Sequence, residues 1–242
     1  MKILNDFILL GANTARTKAY LQLMARNGLI PSYALIMSPS PESLRQEFIS
    51  YETRCESLNQ KSIEYFQLEE PVLFTLNEYG IPYTLIETDS VNSEESKKAL
   101  AEAPSPYIVY SGFGGQILKK PVLELGKRFL HIHPGVVPEY RGSTTVYYSL
   151  LNEGRIGASA IFLEEKIDCG PVLKTKWFEL KHPLPNLDYI LDPFIRASLL
   201  VEVLKEFVDT GHFEFSTQSA TAGETFYIIH PLLKHFAILS TQ

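Results

Sequence analysis

Arg128-Phe129-Leu130-His131-Ile132-His133-Pro134-Gly135-Val136-Val137-Pro138-Glu139-Tyr140-Arg141-Gly142 is the stretch that decides the fold. Its apolar start predicts a strand, and the prolines and glycines beyond predict a loop. Residues two apart on a strand face the same way, so His131 and His133 are expected to point into one cleft. Pro134 lacks a backbone donor and cannot continue a central strand. The imidazoles therefore belong at the carboxyl end of a strand, where open α/β sheets hold their ligands. A second tight loop, Lys166-Ile167-Asp168-Cys169-Gly170-Pro171, adds an acidic residue to the candidate site.

Upstream, strand and helix patterns alternate. Phe7 to Gly11, Tyr33 to Met37, Tyr83 to Ile86 and Tyr107 to Tyr110 predict strands, each an apolar or β-prone run. Lys18 to Asn27, Pro41 to Leu58, Pro71 to Tyr79, Ser93 to Ala103 and Pro121 to Leu125 predict helices, with Gly80 closing the third. Asn13 or Thr14 can cap the first helix. The loop before it, reinforced by Arg16, is either an anion site at a helix N-terminus or an ordinary strand-to-helix connection. The cluster Gly112 to Gly115 would let backbone approach a ligand, although such clusters are commonly plain turns.

Downstream, Thr145 to Leu151 predicts a helix, and Gly157 to Leu163 and Val172 to Leu180 predict strands. A long amphipathic helix from Leu187 to Val208 is expected to be interrupted at Asp192-Pro193. Phe213 to Gln242 mixes short β-prone and helical runs. The alternation implies an α/β fold, a Rossmann-like parallel (mixed) sheet flanked by helices. A catalytic domain over residues 1–183 and a small C-terminal extension over 184–242 are expected.

Composition narrows the function. The chain has 242 residues, 45% hydrophobic and 21% charged, as ordinary globular proteins do. With 22 basic and 28 acidic residues the net charge is −6, and no basic run stands out. That speaks against nucleic acid as a partner. Cys55 and Cys169 have no metal or redox spacing. Neither a signal peptide nor a membrane span is evident, so a cytoplasmic location without membrane contact is expected.

The residues alone leave three readings of His131, His133 and Asp168 open. A His-x-His pair with an aspartate can bind zinc. Two histidines near a turn can be structural. Or one histidine moves a proton while a carboxylate sets its protonation and orientation.

Longer motifs add a resemblance. His133-Pro134-Gly135-Val136-Val137-Pro138-Glu139-Tyr140-Arg141-Gly142 resembles the His-x-x-x-x-Pro-x-Tyr-Arg-Gly signature of the folate-dependent formyltransferases. Ile167-Asp168-Cys169-Gly170-Pro171-Val172 is similar to their Asp-x-Gly-Pro loop, and Gly115-Gln116-Ile117-Leu118 to the segment that lines their folate pocket. The resemblance implies transfer of a formyl group from N10-formyltetrahydrofolate, a co-substrate, to a primary amine, without a metal. It assigns His133 the acid/base role, and Asp168 the tasks of tuning it and helping to order a water. Asn13, Thr14, Arg16, Tyr140 and Arg141 are expected to contact the substrate. Gly115, Gln116, Ile117, Leu118 and Asp168 are expected to meet the folate. The family pattern is Asn-x-His, whereas His131 stands in the asparagine's place. An imidazole can still donate one hydrogen bond to an oxyanion, with a different reach.

Among the family's branches, the methionyl-tRNA enzymes carry a substantial C-terminal RNA-binding domain, for which this acidic chain leaves no room. The glycinamide ribonucleotide enzymes are shorter, with a first loop unlike Gly11 to Arg16. Thr225 to Pro231 and Asp192 to Ala197 are similar to the sugar N-formyltransferases. The expected substrate is therefore a nucleotide-linked amino sugar, with a homodimer left open. Glycinamide ribonucleotide or another amine is one alternative. A metal-dependent hydrolase using His131, His133 and Asp168 is the other.

Overall fold

The computed structural model describes residues 1–55, 64–180, 182–219 and 222–240. The end of the helix expected to run to Leu58 lies outside them, as do the last two residues of the tail. The fold is α/β, with a seven-stranded mixed sheet and a second sheet of two strands. The chain divides into two compact units, Met1–Phe129 and Leu130–Gln242.

The first unit alternates strand and helix: β1 (Lys2–Ala12), α1 (Ala15–Arg26), β2 (Leu29–Ser38), α2 (Pro41–Cys55), α3 (Val72–Glu78), β3 (Tyr83–Glu87), α4 (Glu94–Glu102), β4 (Tyr107–Ser111) and α5 (Lys120–Leu123). Its strands run parallel in the order β3-β2-β1-β4. β1 lies between two neighbours, which is why Phe7, Ile8, Leu9 and Leu10 form an unbroken apolar run and are fully buried. β1 starts five residues earlier than the apolar run suggests. Lys2, Ile3 and Leu4 pair with Leu29, Ile30 and Pro31, and the register shifts between Leu4 and Ile8 to absorb the polar Asn5-Asp6. Thr14 caps α1 by accepting from the Thr17 amide at 3.2 Å, and Ser93 caps α4 through Ser96 at 3.1 Å.

The second unit begins within β5 (Arg128–His133). It continues through β6 (Tyr140–Gly142), α6 (Thr145–Glu153), β7 (Ile156–Phe162) and β8 (Val172–Phe178) to α7 (Asp192–Thr210), β9 (Glu224–Phe226) and α8 (Pro231–Leu239). Here the pairing changes sense: β5 with β7 and β7 with β8 are antiparallel. β6 and β9 pair in parallel as the small sheet. The expected interruption at Asp192-Pro193 is a change of helix type. Leu187–Leu191 winds as a π-helical turn, and α7 continues from Asp192 with Pro193 in its first turn, where a missing amide costs nothing. Residues 184–242, expected as an extension, supply this turn, α7, β9 and α8. No helix among the described residues is long and apolar enough to cross a membrane.

Candidate active site

β5 ends at His133, as Pro134 requires. Along its last turn of the pleat, His131 is half-buried and Ile132 and His133 are buried. The two imidazoles are 6.5 Å apart between ring centres. The Asp168 loop comes to the same place: Asp168 Oδ2 lies 3.3 Å from His133 Nδ1, with both side chains buried. Ligand atoms of His131, His133 and Asp168 all fall within 4.8 Å of one another. The three residues singled out in the sequence therefore form one cluster.

The second nitrogen of the His133 ring is also held. Nε2 lies 2.6 Å from the backbone oxygen of Tyr140, and 3.4 Å from the Thr145 hydroxyl. The Tyr140 carbonyl at Nε2 and the Asp168 carboxylate at Nδ1 both only accept, so a proton on either ring nitrogen has an acceptor in reach. Asp168 in turn accepts the Gly142 amide at 2.8 Å through the same Oδ2. Its backbone sits in the left-handed region at φ 50°, which an aspartate tolerates better than most residues.

The turn between His133 and Tyr140 closes tightly. Ser159, which pairs in register with His133, donates to the Gly135 oxygen at 2.7 Å and accepts the Val137 amide at 3.0 Å. Thr145 donates to the Pro134 oxygen at 2.6 Å. A Cβ on Gly135 would lie 2.6 Å from the Tyr140 oxygen and 3.0 Å from His133 Nε2, so only glycine leaves room for that contact. Arg196, buried on α7, donates to the Ile132 oxygen at 2.8 Å and pairs with Asp192 at 3.3 Å, securing the strand between the two histidines.

The residues expected to contact the substrate have partners within the chain. Tyr140 is buried, and its hydroxyl donates to Glu153 at 3.1 Å. Burial, together with the Glu153 carboxylate, raises its phenol above the ordinary value and keeps it a neutral donor. What Tyr140 gives the site is its carbonyl. Arg141 is only 3% exposed. Its guanidinium donates to Gln218 Oε1 at 3.1 and 2.7 Å, to the Ala222 oxygen at 2.7 Å and to the Ser219 oxygen at 3.1 Å. Those donors hold the tail of the chain to the loop.

Asn13, Thr14, Arg16 and the segment Gly115 to Leu118 belong to the first unit. Asn13 donates to Glu47 at 2.8 Å, and Arg16 donates to the Ser111 hydroxyl at 3.1 Å and to the Gly112 oxygen. Gln116 Oε1 accepts the Val91 amide at 3.0 Å, while Asn92 donates to the Ile117 oxygen at 2.9 Å. Gly115 has φ 76°, Ile117 is exposed and Leu118 buried. Nearby, burial pushes the Tyr110 phenol up to about 12.

The sequence did not point to Ser159, Thr145 and Gln218 as neighbours of the site, and marked Arg196 only as part of the Asp192 to Ala197 run. Each acts through a backbone atom of a distant residue, which leaves no local pattern. Only the register His133–Ser159 could have pointed to one of them.

The chain's sequence matches the family model described as formyl transferase over residues 51–183. A methionyl-tRNA formyltransferase from Sulfurovum sp. is 30% identical over 135 residues, 55% of this chain and 40% of that protein. The chain thus spans less than half the length of that relative. Among solved structures, phosphoribosylglycinamide formyltransferase from Anaplasma phagocytophilum superposes with a TM-score of 0.60 at 13% identity, covering 93% of this chain and 99% of that one. An N-formyltransferase from Helicobacter canadensis, in complex with folinic acid and dTDP-3-aminofucose, gives 0.60 at 14%, covering 98% and 81%. At such identities the structures speak for the fold. With more than half of its residues inside the family model and the His133–Asp168 pair within that span, the chain belongs to the formyl transferase family.

Proposed function

We propose that the chain transfers a formyl group from N10-formyltetrahydrofolate to the primary amine of a nucleotide-linked amino sugar. The observation that carries the reaction class is the buried His133–Asp168 pair with His131 two residues back on the same strand. A new bond forms between the amine nitrogen and the formyl carbon, the bond from that carbon to N10 breaks, and a proton passes from the amine to N10. The amine must be neutral to attack, the formyl oxygen must be met by a donor as charge develops, and the leaving nitrogen must receive a proton. His133 carries the proton between the two nitrogens. Asp168 orients the ring and stabilises its charged form, and helps order a water. His131 replaces the family asparagine as donor to the oxygen. Gly115, Gln116, Ile117 and Leu118 line the folate, and Asn13, Thr14 and Arg16 take the anionic part of the amine substrate.

The sugar branch is supported by the likeness of Asp192 to Ala197 and of Thr225 to Pro231, and by the amino-sugar ligand of the Helicobacter canadensis protein. Release of tetrahydrofolate, measured with a panel of nucleotide-linked amino sugars and with glycinamide ribonucleotide, tests it. Release dependent on an amino sugar, with the formylated sugar found by mass, is expected. Release dependent only on glycinamide ribonucleotide would move the chain to that branch.

A second reading has one observation in its favour. Two ligand atoms 3.3 Å apart with a third within 4.8 Å suit a zinc ion with bonds of about 2.0–2.2 Å and an open fourth position. His133 and Asp168 with His131 would hold it, and it would supply an activated water. Family membership, rather than the donor set, favours metal-free transfer. Metal content and loss of activity with a chelator separate the two.

A further inference from the structure

We propose that Gln218 is a positioning residue for Asp168, reaching the site from beyond the residues that match the family model. The assignment rests on the formyl-transfer reading of the site. Ser216 and Val172 exchange two backbone hydrogen bonds, at 2.8 and 2.9 Å, which docks the tail against the start of β8. Two residues on, the Gln218 amide nitrogen donates to the Asp168 oxygen at 2.9 Å and the Gly170 oxygen at 2.7 Å. Its Oε1 accepts both the Nε and Nη2 donors of Arg141. Carbonyls only accept and a guanidinium only donates, so the amide has a single workable orientation.

These bonds close a ring. Gln218 holds the Asp168 backbone at one end and Arg141 at the other. Gly142, the next residue after Arg141, donates to the Asp168 carboxylate at 2.8 Å. The aspartate is therefore gripped at its carbonyl and its carboxylate by parts that Gln218 links together. That grip matters because Asp168 occupies the left-handed region, a conformation that persists only where its surroundings determine it. A simpler role, tying the tail down through Arg141 alone, uses only Oε1.

Gln218→Glu separates the roles: it keeps an acceptor for Arg141 and loses both donors to the Asp168 loop. In the full chain the melting temperature is expected to stay within about 3 °C of wild type. kcat is expected to fall about tenfold or more, with KM for donor and amine changed less than about twofold. Amide exchange at Gly142 should quicken about tenfold as its acceptor shifts. Ser143, which donates to the Phe226 oxygen of the tail at 2.8 Å, should keep its protection. Wild-type exchange at Gly142, or wild-type kcat, overturns the assignment. If Gln218→Glu does not fold, Gln218→Asn, too short to span both partners, is read in the same way. Should the wild-type chain transfer no formyl group, the functional reading fails, and the Gly142 amide still decides the role of Gln218.

Discussion

His133 faces an acceptor on each side: the Tyr140 carbonyl at Nε2 and the Asp168 carboxylate at Nδ1. An acceptor at each nitrogen holds the ring in one orientation. Asp168→Asn keeps an acceptor for the Gly142 amide but removes the charge. It is expected to lower kcat about a hundredfold with little change in KM, by steady-state kinetics. His131 separates two further outcomes. His131→Ala should lose about a hundredfold in kcat if it meets the developing oxyanion, whereas His131→Asn should retain turnover within about tenfold. Equal turnover in wild type and His131→Ala would remove it from the mechanism. At this scale the sequence was informative where side chains act directly. His131 and His133 were legible because a period of two and a proline stop place them, and Asp168 because it stands in a tight loop closed by Gly170-Pro171. The partners of Arg141 were not legible: they are backbone oxygens and an amide some 80 positions along the chain.

Between β5 and β6, residues 134–139 bend so that the Tyr140 backbone oxygen reaches the His133 ring, and Gly135 is what permits it. Gly135→Ala should displace the Tyr140 carbonyl and cut kcat by more than its effect on stability explains. A melting curve beside the kinetics checks this; wild-type kcat would show that the contact is dispensable. In the first unit, Glu70 lies just before α3, 5% exposed, accepting from Thr75 at 2.6 Å. Burial raises its pKa above 4.5, and the Thr75 hydrogen bond only partly offsets this. A carboxyl that binds its proton more tightly when folded stabilises the protein while protonated. That contribution is lost as pH rises through the folded value. Glu70→Gln should therefore gain stability relative to wild type as pH increases above about 4.5, in thermal melts from pH 4 to 8. Parallel melting profiles would contradict this. Helix caps and strand cores of these elements were readable because they are local. The change to antiparallel pairing after β5 was not, since short β-prone runs carry no mark of direction.

For the whole molecule, the alternation of strands and helices was enough to predict an α/β sheet, and the spaced motifs to predict the family. The tail was the part least legible in sequence. Gln218 meets Asp168 across 50 positions, Ser216 meets Val172 across 44, and β9 pairs with β6 across 84. The proposed reaction moves an intact formyl group at a metal-free His133–Asp168 site. The most direct test supplies N10-formyltetrahydrofolate carrying ¹³C in the formyl group, with amino-sugar nucleotides and an excess of chelator, and follows the label by mass and NMR. The label is predicted to appear as a formamide on the amine nitrogen, with the chelator making no difference and Asp168→Asn slowing its arrival. Label recovered as free formate, or transfer abolished by the chelator, would contradict the account.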